Sequence, residues 1–305
     1  HGLTYIAERD MMLMTDVGAG SSDSDGAFVV IRGFTNAASD GTVSASEQIR
    51  VAGEGTFLGN PVDIGYLSAN DVIYIAERAN AGGRVLGFTL PAPGSAGGAV
   101  APNYNAQCAG ASAVTVGNDE DEVLGNDGMN DDDDDDDDND GDGGDDMGDN
   151  GDGGDARFYV SSNTTGLINI FNLTAGQVTK SAIVAAATDA DGIYYDADAD
   201  VLYQLNRTDN VINAYSNVSN SLNDGMMPQV TATSAAGQFS NGREIAVSGN
   251  QLVVAQDENE ANGGNKLLLY NISPTAISLV NVYPVDFNLW GIHADGNTLY
   301  AVVDN

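Results

Sequence analysis

Apolar residues in this chain fall in short runs, some alternating with polar residues and some continuous, and no long segment sustains the 3.6-residue period of a helix. Gly, Asn, Asp and Ser separate the runs, as in strands joined by turns. The pattern predicts an all-β chain, and it repeats. One strand type reads MMLMTD, DVIYIAE, ARFYVSS, DVLYQLN, NQLVVAQ and NTLYAVV. Another precedes it each time: GLTYIAE, VDIGYLS, SAVTVGN, DGIYYDA, REIAVSG and WGIHADG. A third type follows and ends in an aromatic and a small polar residue, with Phe34, Phe88, Phe171, Tyr215 and Tyr270 as markers. A fourth, weaker type closes the unit in EQIRVAG, KSAIVAA, PQVTATS and SLVNVYP.

With Leu13, Tyr74, Tyr159, Tyr203, Val253 and Tyr300 as equivalent positions, the steps between units are 61, 85, 44, 50 and 47 residues. Removing the 38 residues from Asn118 to Asp155 brings the long step to 47, which makes that segment a loop grown inside one repeat. Four strands in roughly 45–50 residues is the signature of a β-propeller blade. The expected fold is all-β, a β-propeller of about six blades of four antiparallel strands. Residues 1–117 are expected to carry blades 1 and 2 and the start of blade 3, residues 118–155 an acidic insert in the third blade, and residues 156–305 the rest, ending in an incomplete blade.

Units such as DGIYYDADADVLYQLNRTDNVINAYSN resemble blades of the NHL and YVTN surface-repeat propellers. The resemblance spans nearly the whole chain and implies a fold rather than a chemistry. The sixth unit, NLWGIHADGNTLYAVVDN, stops after its second strand at Asn305, while the chain opens on an inner strand of its own. Three readings stay open: the chain continues, the half blade is open at the rim, or a strand of another subunit pairs with its edge. The third makes a homo-oligomer or polymer, built through an edge strand, the expected partner.

Composition narrows the function classes. A chain of 305 residues with 42% hydrophobic content can bury a sizeable core. There are 45 Asp and Glu against 10 Lys and Arg; the segment Asn118–Asp155 holds 20 of the acids and no base, so the remainder is acidic too. Such a surface repels phosphate backbones and anionic lipid heads, which argues against nucleic acid as a partner. Membrane insertion is not expected either, because no apolar run approaches the ~20 residues of a spanning helix. Divalent cations are the natural counterpart, in high-salt water or in calcium-rich extracellular fluid. The lone Cys108 excludes an intrachain disulfide. A chain opening at His1 rather than Met, with N-x-[ST] sequons at Asn163, Asn172, Asn206, Asn217 and Asn271, reads as exported, to the extracellular space or the cell surface.

The insert carries the densest candidate chemistry: NDDDDDDDDNDGDGGDDMGDNGDGGD from Asn130 to Asp155. Asp136, Asp138, Asp140 and Gly141 match the first half of an EF-hand loop, but the twelfth position falls on Met147 instead of a bidentate acid. DGDGGDD and DNGDGGD resemble the Asp/Gly/Asn calcium loops of thrombospondin type 3 repeats, without their cysteines. The resemblance implies a calcium site drawn from Asp136, Asp138, Asp140, Asp142, Asp145, Asp146, Asp149, Asp152 and Asp155. All-oxygen ligands, numerous and flexible, favour calcium over magnesium or a transition metal. A solvated polyanion is the competing expectation.

Elsewhere, Asp189, Asp191, Asp196, Asp198 and Asp200 flank one inner strand and read as polar turns. Asp63 and Glu244 fall at equivalent inner-strand positions and are expected at the channel mouth. No G-x-S-x-G or H-E-x-x-H occurs, the only histidines are His1 and His293, and His293 is expected to pack beside Trp290. The expected function is an exported, non-enzymatic structural or adhesive propeller stabilised by calcium, a subunit of a filament or surface assembly that contacts a matrix or surface ligand. The alternatives are a calcium-dependent propeller hydrolase, phytase-like or lactonase-like, and an acidic mineral-binding protein.

Overall fold

A computed structural model describes residues 2–18, 22, 24–37, 39, 41–79, 82–117, 156–174, 177–184, 189–219, 229–258 and 263–304. Among them run 22 strands in six antiparallel sheets. Blade 1 is β1 (Leu3–Ile6), β2 (Met11–Asp16), β3 (Ala27–Arg32) and β4 (Gln48–Ala52); blade 2 is β5 (Pro61–Leu67), β6 (Val72–Glu77), β7 (Arg84–Thr89) and β8 (Tyr104–Gln107). Blade 3 is β9 (Ala111–Gly117), β10 (Ala156–Ser162), β11 (Leu167–Thr174) and β12 (Gln177–Val184); blade 4 is β13 (Ala190–Asp196), β14 (Val201–Asn206), β15 (Val211–Ser216) and β16 (Gln229–Thr233). Blade 5 is β17 (Gly242–Ser248), β18 (Gln251–Gln256), β19 (Lys266–Ser273) and β20 (Ala276–Pro284). The sixth sheet holds two strands only, β21 (Asn288–Asp295) and β22 (Thr298–Asp304).

The inner strands β1, β5, β9, β13, β17 and β21 contact one another in that order, and β21 returns to β1. They all run the same way along the channel. Gly2 abuts Asp63 and Gly192 abuts Glu244 near the strand starts, while Gly117 abuts Tyr195 near the ends. The fold is a β-propeller of five complete blades and a half blade.

Large side chains alternate to the faces where blades meet. The equivalent Tyr74, Tyr159 and Tyr203 on the second strands are at most 1% exposed. Tyr74 stacks on Phe158 at 4.2 Å and Phe158 on Phe171 at 5.0 Å, which links blades 2 and 3. Ring pairs of this kind add ~0.5–1.5 kcal/mol each beyond the area they bury. The half blade is held by apolar packing on both faces. Leu289 and Ile292 pack on Ala246 and Ala255 of blade 5, and Tyr300 and Val302 on Leu3, Met12 and Ile31 of blade 1. That seam closes the ring between first and last sheets.

The turn from first to second strand has a recurrent chemistry. In blades 1, 2 and 4 it ends on an aspartate with positive φ, Asp10 at 45°, Asp71 at 54° and Asp200 at 48°. Each accepts a hydrogen bond from the tyrosine five residues earlier, Tyr5 (3.0 Å), Tyr66 (2.5 Å) and Tyr195 (3.0 Å). Short acidic side chains tolerate the left-handed region, and the tyrosine hydroxyl fixes the carboxylate over the turn.

One strand escaped the sequence pattern and two expectations need correction. The fourth strand of blade 2, β8, lies in YNAQ, whose four residues are too few for alternation to register. Phe34 is not a strand marker: Gly33 turns left-handed at φ 62°, ends β3 at Arg32, and leaves Phe34 to open a single helical turn, so Ile31, opposite Met12, holds the position of Phe88. Asn206 is 1% exposed, and its amide donates to Asp209 at 2.7 Å, so that sequon is closed to a glycan in the folded chain. Among the described residues no helix is long and apolar enough to cross a membrane.

Candidate functional site at the channel mouth

Five inner strands begin with a β-bulge at the same place. The register slips at Val62, Ser112, Asp191 with Gly192, Arg243 and Trp290 in β5, β9, β13, β17 and β21. A bulge bends its strand and re-aims the side chains beside it. At or just past the bulges stand Asp63, Ala113, Gly192, Glu244 and Gly291, with Gly2 at the matching place in β1, and of these Asp63 and Glu244 border the channel cavity. Two of these are acids and four are small.

The small residues make room. A Cβ on Gly192 would stand 2.7 Å from Glu244 Oε1, and one on Gly2 would stand 2.4 Å from Asp63 Cα. Asp63 and Glu244, three blades apart and both 8% exposed, border a channel cavity of about 170 Å³. Asp63 Oδ2 accepts from Val114 N–H at 2.7 Å, and Glu244 Oε1 from Ile245 N–H at 3.0 Å. No basic side chain among the described residues pairs with either. Both carboxyls titrate above the usual range. Burial is the main cause for each, and for Glu244 the charge of Asp63 adds to it.

Outside the acids sits a second ring, of mixed charge. Arg78 and Arg207 occupy the same place in blades 2 and 4, directly after the second strand, where their N–H groups bond to Asn60 and Asp189 carbonyls. Both reach Asp191, Arg207 at 3.1 Å and Arg78 at 3.9 Å. Arg243, the bulged residue of β17, pairs with Asp257 at 3.1 Å and lies over the ring of Trp290, the bulged residue of β21, at 5.3 Å. Burial lowers the basicity of Arg78, as do the charges of Arg207 and Arg243, while Asp191 supports it. Three of the chain's ten basic residues thus meet at this mouth.

Neighbouring polar groups there are structural. Glu77 caps the loop before its own blade by accepting from Gly59, Asn60 and Ala79 N–H at 2.8–3.1 Å. Gln256 does the same in blade 5, from Ser240 N–H at 2.9 Å.

Asp63 and Glu244 face one cavity, as their equivalence implies. Asp191 joins the arginines, whereas Asp196, Asp198 and Asp200 lie at the opposite end of β13 in and around its hairpin turn. His293 is not packed beside Trp290; it lines the channel three residues on and hydrogen-bonds to the Tyr5 backbone, and burial lowers its pKa. Asp136, Asp138, Asp140, Asp142, Asp145, Asp146, Asp149, Asp152 and Asp155 lie outside the described residues. Among the described residues no group of three or more His, Cys, Asp and Glu is placed to hold a metal ion. The arginines escaped sequence reading because they are single residues in unrelated contexts. Their signal was register: Arg78 and Arg207 each follow the last residue of a second strand.

No family model matches the chain, and no curated protein matches it in sequence. Solved structures do match in shape. The nidogen/laminin complex aligns with TM-score 0.56 at 9% identity over 96% of this chain and 85% of the other. The WD40 β-propeller domain of Doa1 aligns with TM-score 0.57 at 12% identity over 99% and 74%. A Bacteroides uniformis protein provisionally assigned as a 6-phosphogluconolactonase aligns with TM-score 0.56 at 12% identity over 95% and 74%. At such identities the likeness is one of architecture, and it agrees with the sheet order in making this chain a β-propeller.

Proposed function

We propose that this chain is an exported, non-enzymatic propeller serving as a structural or adhesive subunit, and that strands of a neighbouring copy complete its half blade. The observation that carries the reading is the slot beside β22. Every other blade has four strands, so blades 1 and 5 project two strand widths, about 10 Å, beyond the rim of the sixth sheet. A cavity of about 490 Å³ opens between the end of β22 and blade 1, bordered by Val29, Ile31, Gln48, Arg50, Val302 and Val303. On the blade 5 side Leu267 and Leu269 are only half-buried. Their equivalents Ile168 and Ile170, and Ile212 and Ala214, are 0% exposed where a complete blade follows. Tyr283, paired with Leu267 and so on its face, is 48% exposed, and Val303 is 42% exposed.

A recess of that depth takes a hairpin or extended segment, not the rim of another globule. Such a segment gains a backbone ladder on β22 and apolar walls on both faces. A second copy is the occupant proposed because the outer strand pairs of this chain already carry the required pattern, apolar on both faces in the third strand. Net charge opposes that association, at −35 per chain. Calcium taken up by the acidic insert 118–155 is the proposed means of reversing the repulsion, and a matrix or surface ligand would engage the same arm.

Light scattering in calcium and in excess chelator tests the reading, together with hydrogen exchange at β22. Calcium-dependent particles with β22 amides protected only in the assembled fraction support it. A clean monomer at high concentration in calcium, or β22 protection persisting in the monomer, sinks it. A second reading, a calcium-dependent propeller hydrolase, is favoured by the acid pair beneath the arginines. Turnover of a lactone or phosphomonoester that is lost in Glu244→Gln would establish it instead.

A further inference from the structure

We propose that the half blade recognises an aromatic side chain: the segment of a second copy that pairs with β22 carries a phenylalanine opposite Leu299, and this ring seats against blade 5. The inference rests on the proposed completion of the half blade by a second copy, and it names what that copy must present.

The complete blades show what covers such a face. In blades 2 to 5 the third strand places an aromatic residue at one ladder position: Phe88 pairs with Ile73, Phe171 with Phe158, Tyr215 with Leu202 and Tyr270 with Leu252. Each ring is at most 1% exposed. Each also joins the apolar cluster of the blade before its own. Phe88 clusters with Phe28 of blade 1, Phe171 with Val85 of blade 2, Tyr215 with Ile168 of blade 3 and Tyr270 with Ile212 of blade 4.

Blade 5 presents the same wall without a ring on it. Leu267 holds the place of Phe28, Val85, Ile168 and Ile212 in the ladders, yet it is half-buried where they are at most 2% exposed. Leu299 holds the place of Ile73, Phe158, Leu202 and Leu252 on the second strand and packs on the blade 5 side. It too is half-buried, whereas those four are at most 1% exposed. Two contacts elsewhere define the seat. Phe171 stacks on Phe158, the equivalent of Leu299, at 5.0 Å, and Phe88 meets Phe28, the equivalent of Leu267, at 5.1 Å.

The seat favours phenylalanine over tyrosine. Tyr215 donates its hydroxyl to Gln204 at 3.2 Å, and the residue of β22 at the place of Gln204 is Ala301, which offers no side-chain acceptor. A buried hydroxyl left without a partner is costly. Backbone pairing along β22 supplies affinity with little sequence preference, while the ring fixes register, because a slip of one residue would turn it away from blade 5.

The probe is a labelled peptide copy of Thr164–Thr174, TTGLINIFNLT, added to the full-length chain in excess chelator, where the slot reading leaves β22 open. Fluorescence anisotropy gives its affinity, and hydrogen exchange shows where it lies. Binding should protect the β22 amides, and the peptide carrying Phe171→Ala should bind at least about tenfold more weakly. The chain is the same in both arms, so no variant has to fold. Equal binding of the two peptides, with β22 protected by each, overturns the aromatic seat and leaves the slot reading standing. A peptide that fails to protect β22 also overturns the seat, and the slot reading is then decided by the calcium-dependent scattering.

Discussion

Replacing Gly192 by alanine asks whether the small residues of the inner ring set the spacing between blades. The added Cβ would stand 2.7 Å from Glu244 Oε1 and 2.7 Å from the Ile245 backbone nitrogen, where ordinary contact begins at 3.4 Å. The carboxylate can swing aside. The backbone nitrogen cannot, so β13 and β17 have to part by about 0.7 Å, and dispersion contacts between blades 4 and 5 weaken with the gap. Overpacking of this kind costs ~1–3 kcal/mol. Restricting the unfolded chain returns ~0.4–1 kcal/mol. The expected net loss is about 1–2 kcal/mol, or a fall in Tm of roughly 2–4 °C. Urea unfolding followed by far-ultraviolet circular dichroism measures it, with an unchanged m-value marking a loss of stability rather than a change in denatured-state compactness. Gly65→Ala is the control. Its Cβ would meet the Val116 Cγ2 methyl at 3.1 Å, a side-chain end that can yield, and the expected cost is below ~1 kcal/mol. Wild-type stability in Gly192→Ala, or equal damage in both variants, refutes the argument that these glycines space the ring.

Tyr66→Phe removes the hydroxyl that bonds Asp71 Oδ1 at 2.5 Å and should cost ~1–2 kcal/mol by thermal denaturation. Asp71→Asn keeps a residue that tolerates the left-handed turn, and a double-mutant cycle between the two should be non-additive; additivity within ~0.3 kcal/mol contradicts the coupling. Burial lowers the His293 pKa, so below 6.5 the unfolded chain takes up a proton that the folded chain refuses. Stability present above pH 6.5 is then lost as pH falls, and His293→Gln should remove that component from a chemical-denaturation series between pH 7 and 5, about two units across the unperturbed value. Cys108 is 0% exposed, so its reaction with a thiol reagent should be slow in native buffer and accelerate through the urea transition; prompt stoichiometric labelling of native protein contradicts its burial.

Strand type and blade count were readable because a blade is a local object. Four consecutive strands with turns between them leave period-two runs and a repeat spacing, and Leu13, Tyr74, Tyr159, Tyr203, Val253 and Tyr300 proved equivalent in the ladders. What failed locally failed where the periodic signal is short or broken. β8 has four residues at the rim, and Phe34 sits past a left-handed glycine that a run of letters does not reveal. The mouth was half legible. Asp63 and Glu244 came from comparing repeats, but their depth did not, since it depends on small residues contributed by the other four blades. The arginines were invisible because each is paired by a carboxylate from elsewhere, Arg78 with an aspartate 113 positions further on in another blade.

The anchors of the acidic insert and the acid pair of the channel mouth lie at opposite ends of the inner strands, which separates their consequences. Asp63 and Glu244 lie near the strand starts. The insert joins β9 to β10 at the other end, where Gly117 pairs with Arg157 and abuts the ring of Tyr195. Four residues of inner strand, about 13 Å, lie between the level of Asp63, at Ala113 in β9, and Gly117, where the insert begins. At that separation, beyond a Debye length, charge gained at the insert's anchors reaches Asp63 and Glu244 only as a weak, screened field. Calcium-dependent assembly and the stability set at the channel mouth should therefore move independently. Loss of assembly should follow the Asp136→Asn/Asp138→Asn/Asp140→Asn variant, and a change in thermal stability with assembly intact should follow the Asp63→Asn/Glu244→Gln variant, by scattering and melting measurements on the same samples. If one variant changes both, the two ends are coupled, and the rigid, closed ring argued from the packing of blade 6 between blades 5 and 1 has to give way to one that transmits a change from one end of the channel to the other.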